Sequence, residues 1–281
     1  MQRRPFGWTG VPVPVIGQGT WNMTRADRAE SVRALRRGLD LGMTHLDTAE
    51  MYGQGYVEEA IVSEAIAGRR EEVFLVSKVM PQHASFDGTL AACEQSLRRL
   101  KTDRLDVYLL HWPSSHPLAD TLAAFERLVE EGKIRFYGIS NFDGAGLDGA
   151  VRLAGDRRIA CDQVLYHLEE RSVEDVVAPA CARHEVALVA YSPFGSGRFP
   201  SPRSRGGRVL DEIARAHAVT PRAVALAFLV RRLTFAIPKA STLAHVDNNA
   251  AAGQLRLDDD ELERIDRAFA KGPPPSELPM L

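Results

Sequence analysis

The sequence predicts an α/β fold of the (β/α)8 TIM-barrel class. Eight apolar runs of strand length occur along the chain, and stretches of helical period lie between them. The first run is not followed by a complete glycine-rich turn: Gly17-Gln18-Gly19-Thr20 stops short of the phosphate-binding pattern that usually marks a doubly wound open sheet. The expected strands are Ile16 to Thr20, His45 to Asp47, Val73 to Ser77, Leu105 to Leu110, Ile134 to Ser140, Gln163 to Tyr166, Ala187 to Tyr191 and Phe235 to Ile237. They are continuously apolar rather than alternating, as parallel strands covered on both faces must be.

The helical stretches expected between them are Ala26 to Leu41, Tyr56 to Ile66, Leu90 to Leu100, Leu118 to Glu131, Val173 to Arg183, Val209 to His217 and Pro221 to Arg231. Thr220 before Pro221 reads as a helix start, since a threonine can cap and proline suits the first helical position. Repeated βα units with right-handed crossovers close as a barrel. Thr9-Gly10-Val11-Pro12 predicts a short N-terminal hairpin at its bottom, and further helices are expected at the C-terminal end. Gly195 to Gly207, rich in Gly, Ser, Pro and Arg, reads as a mobile loop. Lys271-Gly272-Pro273-Pro274-Pro275 ends the last helix and leaves a short extended tail. No linker interrupts the pattern, so residues 1–281 are read as a single barrel domain.

With 281 residues, 45% of them hydrophobic, the chain can bury a large core. A formal net charge of -2 gives no positive surplus to neutralise nucleic-acid phosphates. No apolar run is long enough to cross a bilayer, and no apolar stretch follows the basic N-terminus, so a cytoplasmic protein is expected. Cys93, Cys161 and Cys181 lack disulfide or zinc spacing and read as small buried residues. His45 and His167 lie inside strand-like runs. His83, His116, His184 and His217 show no ligand spacing, so no metal is expected. Trp8 is expected to pack under the barrel. The arginines at 198, 203, 205 and 208 either clamp phosphates or form a solvated surface.

In a barrel, chemistry sits where the strands end. Asp47 ends the second strand, Tyr52 lies in the loop after it, Lys78 follows the third strand and His111 the fourth. A carbonyl that accepts a hydride develops negative charge on oxygen and needs a proton donor against it. Tyrosine is a weak acid, with a reference pKa of about 10. A lysine ammonium beside it stabilises the phenolate and lowers that value, and an aspartate keeps the lysine charged. A histidine can give the oxygen a second hydrogen bond. Tyr52 is thus the expected general acid, Lys78 its activator, Asp47 the partner of Lys78, and His111 the substrate-facing donor. Trp21, Met51, Met80 and Trp112 are the expected apolar walls of the substrate pocket.

Asp47-Thr48-Ala49-Glu50-Met51-Tyr52-Gly53, Lys78 after Val76-Ser77, and Leu110-His111-Trp112 resemble the catalytic tetrad of the aldo-keto reductase family. Gly17 to Trp21, Gly138-Ile139-Ser140-Asn141-Phe142 and Ile237-Pro238-Lys239 resemble its opening strand, nicotinamide-side motif and phosphate-binding segment. The likeness runs from about residue 6 to 272. Ala49-Glu50-Met51-Tyr52, Gln163 to Leu168, and Ala250-Ala251 after Asn248-Asn249 are most similar to the bacterial methylglyoxal reductase type.

The resemblance implies reduction of small aldehydes and ketones, methylglyoxal-like or aromatic, with NADPH as cofactor and NADH a weaker alternative, carried out by a monomer. It also implies cofactor residues: Ser140, Asn141 and Gln163 on the carboxamide, Tyr191 stacked on the nicotinamide, Lys239 on the 2′-phosphate and Asn249 at the adenine edge. Gly19, Thr20, Trp21, Ser192, Pro193, Phe194, Ala240, Ser241, His245 and Asn248 complete the expected contacts. One position departs from the pattern: many NADPH-using members carry an arginine where this chain has His245, and a neutral imidazole is a poorer phosphate partner. Two other readings of the residues stay open at this point: a barrel enzyme that uses Lys78 to form a Schiff base, and a cofactor-binding sensor without turnover.

Overall fold

The computed structural model describes residues 1–273 and 275–281. Among the described residues ten strands form two sheets: β1 (Arg3–Pro5) and β2 (Pro12–Pro14) pair antiparallel, while β3 (Gln18–Gly19), β4 (His45–Asp47), β5 (Phe74–Val79), β6 (Leu105–Leu110), β7 (Ile134–Ser140), β8 (Ile159–Leu165), β9 (Ala187–Tyr191) and β10 (Thr234–Ala236) run parallel in sequential order. The parallel sheet closes on itself. Ala236 N donates to Val15 O at 2.9 Å and Gly19 N to Pro238 O at 3.1 Å, joining the first strand to the last. The eight-stranded barrel expected from the sequence is therefore present, and every residue of β5, β6 and β8 is buried, which explains their unbroken apolar runs.

Strand boundaries shift in two places that matter. β5 extends to Val79, so Lys78 lies within the strand rather than after it. β8 begins at Ile159, four residues before the expected start. Helices follow the predicted order with adjusted ends. Tyr56 to Ile66 resolves into a π-helix, Val57–Val62, leading into Ser63–Ile66. Val173 to Arg183 splits into two short helices, Val173–Val176 and Ala178–Arg183. Thr220 accepts from Ala223 N and caps Pro221–Leu229 as predicted. A helix at Gly144–Ala154 was not expected, because its three glycines obscure the periodicity; Asp143, which accepts from Gly146 N at 2.7 Å, is the cap that could have signalled it. Two more helices, Leu243–Ala252 and Asp259–Ala268, complete the C-terminal end. Of the Lys271 to Pro275 segment, Pro274 lies outside the described residues.

The N-terminal hairpin plugs the bottom of the barrel. Gly10 makes its turn in the left-handed region, with φ 69°. Phe6, fully buried, lies 5.0 Å from the rings of both Phe74 and Phe235, and Trp8 Nε1 donates to Ile159 O at 2.7 Å. The barrel interior is a compact cluster that includes Phe6, Val76, Val107, Leu109, Val189 and Phe235. A larger core fills the space between barrel and helices. Cys93, Cys161 and Cys181 are free thiols, all buried, and burial pushes each of them up, Cys93 to about 12. Among the described residues no helix is long and apolar enough to cross a membrane.

His45 sits in this bottom layer, edge-on to Phe6 and Phe74, with no hydrogen-bond partner for Nδ1 among the described residues. Burial, helped by the charge of Lys78, lowers it to about 3. As pH falls below the ordinary histidine value of about 6.5, the unfolded chain binds a proton that the folded chain refuses. Stability is therefore expected to fall with acidity from about pH 6.5 downward, by up to ~1.4 kcal/mol per pH unit for this group. His45→Leu should flatten the dependence of Tm on pH in that window. Parallel curves for the two proteins would show that His45 is not the acid-sensitive group.

Candidate active site

At the C-terminal ends of the strands the chain gathers residues from most of the barrel around one cavity. It is lined by Gly19, Thr20 and Trp21 at and beyond the end of β3, Asp47, Met51 and Tyr52 at and beyond the end of β4, His111 and Trp112 after β6, Ser140 and Asn141 at the end of β7, Gln163 on β8, and Tyr191 and Ser192 at the end of β9. Ile237, Lys239 and Leu281 complete the wall. Behind it lies Lys78, with no exposed surface. Its Nζ donates to Asp47 Oδ1 at 2.5 Å, to Thr48 O at 2.9 Å and to Tyr52 Oη at 3.4 Å. Three donors meet three acceptors, so the ammonium is fully used in orienting its neighbours. A lysine so buried and charge-paired is a poor amine nucleophile, which sets aside the Schiff-base reading.

The ionisation of this group follows from burial and from the pair itself. Burial pushes the Asp47 carboxyl up, while Lys78 and Gln163 pull it back. Burial lowers Lys78, but Asp47 and Tyr52 outweigh it and leave the ammonium above its ordinary value. Tyr52 differs from expectation. Burial raises it, and the charge of Lys78 opposes that shift without reversing it, so the phenol holds its proton. His111 is pushed well below its ordinary value by burial and then by Lys78, so the ring is neutral. It sits edge-on to Tyr52 with centroids 6.0 Å apart.

The polar residues beside this group form a second network, which the sequence did not reveal. Gln163 Nε2 donates to Asp47 Oδ2 at 2.7 Å and so ties β8 to the ion pair. Ser140 Oγ donates to Gln163 O at 2.7 Å, and Asn141 Nδ2 to His111 O at 3.0 Å. Tyr191 Oη donates to Asn141 Oδ1 at 2.9 Å. Asn141 (φ 63°) and Ser192 (φ 47°) both adopt left-handed backbone, and the bonds of the Asn141 side chain to His111 O and Tyr191 Oη hold that residue in place. Glu50 accepts from Met80 N at 2.7 Å and lies 3.0 Å from His83 Nδ1, fastening the turn after β5.

That turn corrects one expectation. Met80 is not among the residues lining the cavity, because Glu50 fixes its backbone and the chain then turns into Pro81–His83; its sulfur accepts instead from Gln82. The tail is also not simply extended: Leu278 packs on the outer core and Leu281 returns to the cavity wall.

A second cavity, of about 650 Å³, adjoins the first, with Lys239 lining both. Phe194, His245, Asn248 and Asn249, expected from the sequence, line it. Pro193, Ala240 and Ser241 line neither cavity, and neither do the arginines at 198, 203, 205 and 208. The arginine that does is Arg222, which the sequence did not single out.

A parallel closed barrel with a Tyr-Lys-Asp chain and a histidine at one rim defines an oxidoreductase of the aldo/keto reductase kind. Residues 15–270 match the Aldo/keto reductase family, and the chain belongs to it. It is 44% identical over 274 residues to methylglyoxal reductase YeaE of Escherichia coli, covering 96% of each chain, and 32% identical over 277 residues to glyoxal reductase of Bacillus subtilis, covering 96% of this chain and 95% of that one. An aldo/keto reductase from Klebsiella pneumoniae, solved in complex with NADP and acetate, superposes with a TM-score of 0.92 at 40% identity, covering 100% of both chains.

Removing one member of a buried pair leaves the other charge uncompensated. Asp47→Leu is expected to destabilise the fold by ~3–5 kcal/mol in denaturant unfolding, and the Asp47→Leu/Lys78→Met double variant to recover part of that loss. A double variant as unstable as the sum of the two single ones would show that the two groups do not depend on each other.

Proposed function

We propose that the protein reduces small aldehydes and ketones, of the methylglyoxal or aromatic-aldehyde kind, with NADPH as hydride source and Tyr52 as proton donor. The observation that carries this reading is the buried Asp47–Lys78–Tyr52 chain opening on a cavity that continues into a second one through Lys239. An elongated pair of cavities with amide groups and an aromatic ring at one end, and cations and amides at the other, fits a phosphorylated dinucleotide. Ser140, Asn141 and Gln163 would hold the carboxamide, Tyr191 would lie against the nicotinamide ring, Lys239 would meet the 2′-phosphate and Asn249 the adenine. The methylglyoxal reductase among the relatives and the NADP complex among the similar structures support the same choice of substrate and cofactor.

When bound, the reduced cofactor supplies the hydride. Tyr52 delivers its proton to the carbonyl oxygen as negative charge builds there. Lys78 then faces the phenolate left behind, and Asp47 keeps that lysine charged throughout. Neutral His111 offers the oxygen a hydrogen bond without competing for the proton. The raised value of Tyr52 keeps the acid loaded between turnovers. Trp21, Met51 and Trp112 supply the apolar wall that holds a small carbonyl compound against Tyr52.

Tyr52→Phe is expected to lower kcat for methylglyoxal reduction about 10²- to 10⁴-fold while NADPH still binds, followed by loss of NADPH absorbance and by fluorescence titration. An active phenylalanine variant would remove Tyr52 from the role. Lys239→Met should raise KM for NADPH about tenfold or more, the usual worth of a hydrogen bond to a charged group, and leave KM for NADH nearly unchanged. Equal losses with both cofactors would sink the 2′-phosphate assignment. Tight binding without turnover across a panel of carbonyl compounds would favour the sensor reading.

A further inference from the structure

The second cavity contains a cation that no carboxylate claims among the described residues. Arg222 is the second residue of the helix Pro221–Leu229. Its guanidinium carbon lies 4.6 Å from the ring centroid of Phe199 and 5.5 Å from that of Phe194, and the two rings meet edge to face at 5.8 Å. Asp211, the carboxylate that shares the cavity, is paired with Arg215 instead. A guanidinium laid on aromatic faces keeps its in-plane N–H donors free, and those donors match the oxygens of a phosphate.

The surroundings favour an anion. Lys239 lines the same cavity, and Asn248 and Asn249 add amide donors. Burial lowers the Lys239 ammonium and the charge of Arg25 lowers it further, and a bound dianion would offset both effects. His245, on the first turn of Leu243–Ala252, is exposed, as Arg222 is, but lacks the permanent charge and planar fork of an arginine.

We infer that Arg222, held by Phe199 and Phe194, is the second cation for the adenosine 2′-phosphate beside Lys239 and sets the preference for NADPH, the role that the sequence pattern would have given to position 245. This rests on the placement of the 2′-phosphate at Lys239. The Gly195–Gly207 loop then serves the nucleotide through Phe199, the surface on which the arginine rests, rather than through its own arginines.

Calorimetric titration of the intact protein with adenosine 2′,5′-bisphosphate and with adenosine 5′-phosphate tests this. Arg222→Leu is expected to weaken the bisphosphate about tenfold or more and to change the 5′-phosphate by no more than about twofold. Phe199→Leu, which keeps bulk but removes the aromatic face, should lose part of the same discrimination, and His245→Ala should lose little of it. If Lys239→Met weakens the bisphosphate while Arg222→Leu does not, the inference is overturned and the Lys239 reading stands. If His245→Ala has the larger effect, the inference is likewise overturned. If the unaltered protein binds the two nucleotides equally, both the inference and the reading beneath it fail. Circular dichroism of each variant separates lost folding from lost binding, and Arg222→Lys, which retains the charge but not the planar fork, should fall between wild type and Arg222→Leu.

Discussion

An ammonium and a carboxylate held 2.5 Å apart with almost no exposed surface cannot be left half-made, and the mouth of the barrel is organised around that constraint. Asp47 ends β4 and Lys78 lies within β5, so the register between two neighbouring strands brings the charges together. The remaining oxygen of Asp47 is taken by Gln163, four strands away across the interior. The spare donors of Lys78 are taken by Thr48 O and Tyr52 Oη. Every partner that satisfies the pair is thereby fixed in place. The barrel supplies the stiffness: strands buried on both faces leave the charged residues little freedom to drift.

The same constraint makes the rim electrically asymmetric. One positive charge lies beneath Tyr52, and its field adds to burial in keeping the His111 ring neutral. A single buried lysine thus favours a phenolate beside it and disfavours an imidazolium nearby. The ionisation states at the rim follow from burial and from this one charge together.

Much of this was legible in the sequence, for definable reasons. Strands covered on both faces must be apolar throughout, so runs such as Leu105 to Leu110 announced themselves. Polar residues at the ends of such runs, Asp47 and His111 among them, stood out against that background. Gly144–Ala154 was missed because glycines carry no hydrophobic period, and Lys78 appeared to follow its strand because a charge inside an apolar run reads as the end of that run. Other features could not be read in one dimension. The Gln163–Asp47 bond joins residues 116 positions apart, Leu281 reaches the cavity from beyond the last helix, and Arg222 gains its meaning from two phenylalanines on a separate loop. Met80 shows the opposite failure: an apolar residue in a suitable position was diverted by a hydrogen bond from its own backbone to Glu50.

The three thiols carry a last consequence. Cys93, Cys161 and Cys181 are each packed inside the fold and held in the protonated form. Electrophiles and peroxides attack sulfur as thiolate, and this protein displays none among its described residues. Adduct formation at sulfur therefore has to wait for the chain to open.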